Sequence, residues 1–323
     1  MRTIKYTCII PSTCSQKILP HLRKCIESLR KSSRIAEVQL KVVVVADSRE
    51  TRNPFNKRID FFICAGEKPG FAKMNNYAFG KTLKTFESDY FLLINDDAWV
   101  EEDFFKEFLK MTKADLIVPL IYEREGPKID SFGIEYFTSG YAKNAHSFDI
   151  KTQLAPAACL FIKTSFLQKM KVIYGFYFNE QLYSYLDDVE FSIRARALGA
   201  SIEKVKGMVV HHIVSFTAVR KSYYIMYHTY RNILWLIVMT WPLKSILRHI
   251  ASIALVQGWV GFYSLKTHGP LLYLRVLWDT LLNFAKLIKL RRKIISLYQK
   301  AFDFESLFSE YAFRTYHGVI IKV

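Results

Sequence analysis

The chain has 323 residues, 51% hydrophobic and 23% charged, which suits one large domain with an appendage and excludes global disorder. Only 13 Gly and 9 Pro exclude a collagen-like or low-complexity polymer, and five cysteines without a C-x-x-C pair exclude a disulfide scaffold or cysteine zinc finger and fit a reducing compartment. The net charge of +17 is uneven: fifteen basic and four acidic residues fall in 213–323, giving that stretch +11 against +6 for the rest, so an anionic partner such as a membrane surface, phosphates or nucleic acid is expected.

The apolar stretch at the N-terminus is short, broken by Lys5 and Pro11, and does not read as a secretory leader. Thr3–Ile10 reads as a strand with Ile4, Tyr6, Cys8 and Ile10 on one face, and Gln16–Arg30 as a helix with Ile18, Leu22, Cys25, Ile26 and Leu29 at helical spacing. Leu40–Ala46 holds four consecutive valines, as in a strand buried on both faces. A strand over Ile59–Ala65, a helix over Phe71–Lys84, a short strand at Tyr90–Ile94, a helix over Glu101–Lys113 and a strand at Leu116–Leu120 follow. Residues 121–155 read as a loop or hairpin insertion, Ala157–Ile162 as a strand, and Leu186–Leu198 as a helix capped by Gly199. Ser201–Val205 and Met208–His212 read as two short strands, after which the pattern turns helical and apolar. This alternation predicts an α/β sheet domain.

In an open α/β sheet, ligands bind at the carboxyl ends of the strands. Those ends carry Pro11-Ser12-Thr13, Asp47 and Asn95-Asp96-Asp97. Neither G-x-G-x-x-G after the first strand nor G-x-x-x-x-G-K-[ST] occurs, so a phosphate must be held otherwise, for example by a divalent cation bridging carboxylate and diphosphate oxygens. Each cluster also has a plain structural reading. Asn95-Asp96-Asp97 alone is better read as an Asx turn, and Asp47 as a cap. Asp187-Asp188 suits a helix N-terminus, Glu190 and Arg194 form an ordinary i,i+4 pair, and of His211-His212 at most one faces a given site.

Their order along the chain changes that balance. Ile9-Ile10-Pro11-Ser12-Thr13, Asp47, Gly70-Phe71-Ala72-Lys73-Met74-Asn75-Asn76 and Asn95-Asp96-Asp97 come first. Phe178-Asn179-Glu180, Tyr185-Leu186-Asp187-Asp188-Val189-Glu190 with Arg194, His212-Ile213-Val214-Ser215 and Tyr230-Arg231-Asn232 complete the set. Over roughly residues 3 to 235 the chain resembles glycosyltransferase family 2, enzymes of the GT-A fold, and within it the rhamnosyltransferase and galactofuranosyltransferase-like group. The resemblance implies a Rossmann-like mixed sheet flanked by helices in a nucleotide-sugar-binding catalytic domain at 1–217, and a helical C-terminal region at 218–323. It implies an inverting, metal-dependent transfer from a UDP- or dTDP-sugar to a hydroxyl of a glycan or lipid-linked glycan in cell-surface polysaccharide synthesis.

By the same resemblance, Pro11, Ser12, Thr13, Asp47, Gly70, Lys73, Asn76, Asn95 and Asp96 would bind the donor, with Asp47 on the base and Asp96 near the ribose. Asp97 and His212 would hold Mg2+ or Mn2+; His212 is preferred to His211 because Ser215 and Thr217 then also match. Asp188 would be the catalytic base, with Asp187 beside it. The chain departs from the family pattern at Asn95 for the first acid of D-x-D, Asp187 for the Glu of E-D, Glu190 for Asp, and Leu182-Tyr183 for paired phenylalanines.

The uncharged runs Asn232–Leu243 and Ile250–Leu265 have 12 and 16 residues, short of the roughly 17–20 that a spanning helix needs. Leu271–Lys300 mixes aliphatics and Trp278 with Lys286, Lys289, Arg291, Arg292, Lys293 and Lys300, as in an amphipathic helix lying on an anionic bilayer. A peripheral location on the cytoplasmic side of the plasma membrane is therefore expected. A packed helical subdomain with a solvated basic face is the alternative. The rival functions are a catalytically inactive GT-A scaffold and a nucleic-acid-binding protein. No zinc finger, RRM signature or basic heptad region supports the latter, so nucleic acid is not an expected partner.

Overall fold

The computed structural model describes residues 3–48, 51–55, 58–110, 114–124, 126–213 and 222–309. The first half alternates as expected: β1 (Lys5–Ser12), α1 (Leu19–Ile35), β2 (Gln39–Ala46), β3 (Phe61–Cys64), α2 (Gly70–Thr85), β4 (Tyr90–Ile94), β5 (Ala98–Val100), α3 (Phe104–Leu109) and β6 (Leu116–Glu123). The 121–155 stretch holds three short strands, β7 (Ile129–Ser131), β8 (Ile134–Tyr136) and β9 (Ala142–Asn144), the last two forming a hairpin. Then come β10 (Cys159–Lys163), α4 (Thr164–Tyr174), α5 (Asp187–Ala197), β11 (Ile202–His212), and five helices: α6 (Tyr223–Thr240), α7 (Leu243–Arg248), α8 (Ile250–His268), α9 (Pro270–Leu282) and α10 (Phe284–Ser296).

The main sheet runs β3-β2-β1-β4-β10-β6-β11-β5, with β7 paired to β6. β3, β2, β1 and β4 are parallel neighbours, β10 is antiparallel to both β4 and β6, and β11 runs parallel to β6. Successive side chains of a strand point to opposite faces. Val42 and Val44 therefore share a buried cluster with Leu22, Ile26 and Leu29 of α1 on one side, while Val43 and Val45 share the other cluster with Ala72, Met74 and Ala78 of α2. The valine run is covered on both faces, as its sequence demands. Burying each large aliphatic of α1 is worth about 1.5–3 kcal/mol, which fixes a helix that would be marginal alone.

Several elements differ from expectation. β1 runs on to Ser12, so Pro11 and Ser12 are strand residues. The two strands expected at 201–212 are one strand with an irregularity between Val205 and Val209, because both halves pair with β6. β5 and α4 have no counterpart in the sequence reading. α4 buries Phe166, Leu167, Met170 and Tyr174 and ends on Gly175 at φ 79, a left-handed cap that glycine adopts without strain. The expected helix 271–300 breaks at Asn283 into α9 and α10. The C-terminal helices share a core with the sheet: Trp241, Val260, Leu272 and Ile294 belong to the same buried cluster as Ile9 and Val43. The boundary expected at 217/218, with Ser215 and Thr217, lies outside the described residues.

Candidate active site

Parallel pairing puts the carboxyl ends of β1, β2 and β4 side by side, with Ser12 opposite Ala46 and Ile9 opposite Leu93. Asp47 follows β2 and donates its backbone N–H to the Ser12 carbonyl at 3.2 Å. Burial pushes the half-buried Asp47 carboxyl above its ordinary range. The turn Asn95-Asp96-Asp97 follows β4 and leads into β5, which pairs with β11 so that His212 lies opposite Ala98. Because β10 is antiparallel to β4, its beginning lies at the same edge, and the Asn95 N–H donates to the Ala158 carbonyl at 2.9 Å.

His212 is the centre of this edge. Its Nδ1 lies 2.9 Å from an oxygen of Asp130, and its Nε2 lies 3.2 Å from Asp97 and 3.3 Å from the Asn95 amide. Burial opposes charge on the ring, yet the hydrogen bonds to Asp130 and Asp97 prevail and push His212 up to about 9. His211 points the other way, as alternation along a strand requires. Its ring bonds Glu101 and the Arg124 carbonyl, both at 2.6 Å, and stacks on Trp99. Asp96 is buried beside Ser12. Burial, and then the charge of Asp97, push it up to about 7 against the pull of a Ser12 hydrogen bond.

The second half of the site is the N-terminus of α5. Asp188 accepts hydrogen bonds from the Ala157 N–H at 3.2 Å and from the Val189 N–H at 2.9 Å. Ala157 adjoins the residue that pairs with Asn95, so Asp188 reaches the same edge. Asp187 is buried and its Oδ2 has no partner among the described residues. Burial raises both carboxyls, and the Asp188 charge raises Asp187 further. Two such acids cannot both ionise cheaply. Both carboxyls accept backbone amides, and the Asp188 charge makes Asp187 the harder of the two to ionise.

The backbone leading into this dyad is strained. Tyr183, Tyr185 and Leu186 all have left-handed φ, at 67°, 69° and 60°. Three groups hold them there. The buried Asn232 amide of α6 donates to the carbonyls of Leu182, Ser184 and Tyr185 at 2.9, 2.9 and 2.7 Å. Arg231 donates to the Leu182 carbonyl at 2.9 Å. The start of α2 docks from the other side, with the Phe71 N–H on the Ser184 hydroxyl at 3.2 Å. Gly70 is required there: its φ is +76°, and a Cβ would lie 2.6 Å from the Tyr183 carbonyl. Behind α5, the fully buried Arg194 bonds Glu190 through two nitrogens at 2.8 and 2.7 Å, and the Tyr177 carbonyl at 2.6 Å.

The structure thus joins Ser12, Asn95, Asp96, Asp97 and His212 directly, Asp47 through the Ser12 backbone and Asp188 through Ala157. The other five expected donor residues make these contacts. The Asn76 amide is engaged by the Phe178 backbone at both its nitrogen and oxygen, each at 2.8 Å, and by Glu180 at 2.9 Å, so it braces the 178–180 loop. Gly70 serves the close approach to Tyr183, and Lys73 is exposed on the first turn of α2. Thr13 is exposed and bonds Ser15, and Pro11 is half-buried in β1. The sequence reading missed Asp130, which lies 82 residues before its partner in a stretch read as insertion. It included Arg231 and Asn232 in the ordered motif set but gave them no role.

Asp97 and His212 offer a divalent cation one carboxylate oxygen and one imidazole nitrogen, and no larger His, Cys, Asp or Glu group able to hold a metal exists among the described residues. Two protein donors fit a cation that takes its remaining ligands from water or phosphate oxygens. Asp130 on Nδ1 is the outer carboxylate that commonly orients a metal-binding histidine.

This architecture occurs in solved proteins. TarS of S. aureus superposes with a TM-score of 0.50 at 18% identity, over 78% of this chain and 43% of its own, so this chain spans less than half of TarS. GalNAc-T7, solved with UDP, GalNAc and Mn2+, gives 0.53 at 13% identity, over 83% of this chain and 58% of its own. The chain has the GT-A fold. A mannosyltransferase from Pyrobaculum calidifontis, PcManGT, solved with GDP-Man and Mn2+, gives 0.50 at 10% identity, over 92% and 86%. No family model and no curated protein matches the GT-A chain by sequence. At these identities the likeness is one of fold.

Proposed function

We propose that the chain is an inverting glycosyltransferase that moves a sugar from a nucleotide diphosphate to an acceptor hydroxyl. The observation that carries this reading is the convergence of Asp97, His212, Asp188 and the buried Asp187 on one sheet edge. The acceptor is a glycan or lipid-linked glycan hydroxyl. Such a hydroxyl is a poor nucleophile near neutral pH, and Asp188, whose carboxylate accepts two backbone amides, takes its proton as the new bond forms. A positioned base of this kind contributes about 10²–10⁴-fold. Asp187 lies beside it, its carboxyl pushed up by burial and by the Asp188 charge. Ser12 and Asp47 line the nucleoside side. Attack opposite the diphosphate breaks the anomeric bond in one displacement, so configuration inverts.

Asp97 and His212 would hold Mg2+ or Mn2+, which when bound neutralises charge on the departing diphosphate. The GT-A proteins solved with GDP-Man or UDP and Mn2+ support the donor class and the cation. The motif order supports the rhamnosyl- and galactofuranosyltransferase-like group. Thermal shift with UDP, dTDP and GDP, with and without Mn2+, tests the reading, because only a ligand of the native state raises Tm. A nucleoside diphosphate is expected to stabilise the protein with Mn2+, less so in EDTA, and not in Asp97→Ala. Absence of any nucleotide effect, together with no donor turnover, would overturn the assignment.

A further inference from the structure

We propose that the outer face of the α8–α9 hairpin docks on an anionic lipid bilayer, lying in its interface. On α9, Leu271, Leu274, Trp278 and Leu281 recur at helical spacing with 73, 57, 60 and 66% of their surfaces exposed, while Leu272 and Val276 on the opposite side are fully buried. α8 repeats the arrangement: Leu255 and Leu265 are more than half exposed, and Val260 is buried. Each helix therefore has one apolar face in the core and a second apolar face in water. A soluble surface rarely leaves so many large aliphatics together without a partner. No helix among the described residues is long and apolar enough to cross a membrane, which leaves the orientation of a helix lying flat.

The charge around this face selects the partner. From Lys244 to Lys300 there are ten Lys and Arg and a single acid, Asp279. Asp279 is engaged by the Tyr227 hydroxyl and lies 3.8 Å from Arg275. Lys244 and Arg248 on α7, Lys266 near the end of α8, and Lys286 and Lys289 on α10 are exposed on the elements that flank the hairpin or belong to it, with Arg248 also 3.5 Å from Glu305. A second copy would bring the same cations against these, whereas phosphate headgroups complement them. α10, which the sequence suggested as part of the bilayer helix, instead buries Leu287 and Ile294 and donates from Arg291 to the Val238 carbonyl at 2.8 Å. α9 packs on α6, whose first turn touches the loop before Asp187 through Tyr224 and Tyr185, with ring centres 6.3 Å apart. Docking thus brings that loop toward the membrane surface, which suits a membrane-borne acceptor; this corollary alone rests on the transferase reading.

Flotation with phosphatidylcholine vesicles, with and without phosphatidylglycerol, tests the proposal without any enzymatic assay. The full chain is expected to float with the anionic vesicles and to be released by salt. Leu274→Glu with Leu281→Glu, both on exposed positions, should keep the wild-type Tm and lose at least about tenfold in partitioning, since each withdrawn aliphatic side chain is worth on the order of one decade. Lys286→Glu with Lys289→Glu should weaken binding to anionic vesicles only. Wild-type protein that stays with the unbound fraction would overturn the proposal. So would a dimer that the leucine variant dissociates, or a leucine variant that floats like wild type.

Discussion

Asn232→Ala probes how the chain holds its base. The residue is fully buried, and its amide is the shared donor to three carbonyls of a segment carrying three non-glycine residues in left-handed conformation. Each such residue stores on the order of 1 kcal/mol, and each net hydrogen bond returns about 1 kcal/mol. Removing the amide leaves the strain without its counterweight and three carbonyls poorly satisfied, a loss of about 2–4 kcal/mol. In a chain of this size that corresponds to a fall in Tm of roughly 3–6 °C. The segment then relaxes and Asp188 moves, and a displacement near 1 Å costs about 10²-fold in turnover. Nucleotide affinity should change little, because Ser12 and Asp47 sit on other strands. Differential scanning fluorimetry and initial-rate measurements on wild type, Asn232→Ala and Asn232→Asp provide the assay. The aspartate, an acceptor facing three acceptors, should be no better than alanine. An alanine variant with lowered Tm but unchanged kcat would refute the idea that this clamp positions the base, and one unchanged in both would refute the energetics.

Two further outcomes follow from the same geometry. Asp188→Asn should lower turnover by about 10²–10⁴-fold while nucleoside diphosphate binding by calorimetry stays intact; near-normal turnover would remove Asp188 as base. His228 packs among Tyr183, Tyr224 and Tyr227, and burial, then Arg231 and Arg275, lower it to about 4. The unfolded chain takes up this proton near pH 6.5 and the folded chain only near 4, so His228 lowers stability as pH falls through that window. His228→Gln should flatten the Tm profile between pH 7 and 4, and superimposable profiles would exclude this role.

Short-range pattern alone determined much of this protein. Four valines in a row specify a strand covered on both faces, and Tyr90–Ile94 and Asp187–Ala197 stand where periodicity puts them to within a residue. The ordered polar residues at strand ends were likewise readable, because in a parallel sheet those ends share one edge. Partnership between distant segments was not. Whether His211 or His212 turns toward Asp97 depends on how β11 pairs with β5 and β6, and Asp130 finds His212 across 82 residues of chain. The strained turn before Asp187 is held by a side chain 47 residues downstream, which no local preference encodes. The apolar stripe of α9 reads the same in sequence whether it faces a core or a bilayer. Only packing decided that Leu272 goes inward while Leu271 stays out, because each helix has two sides and the neighbouring helices α6 and α8 cover just one of them.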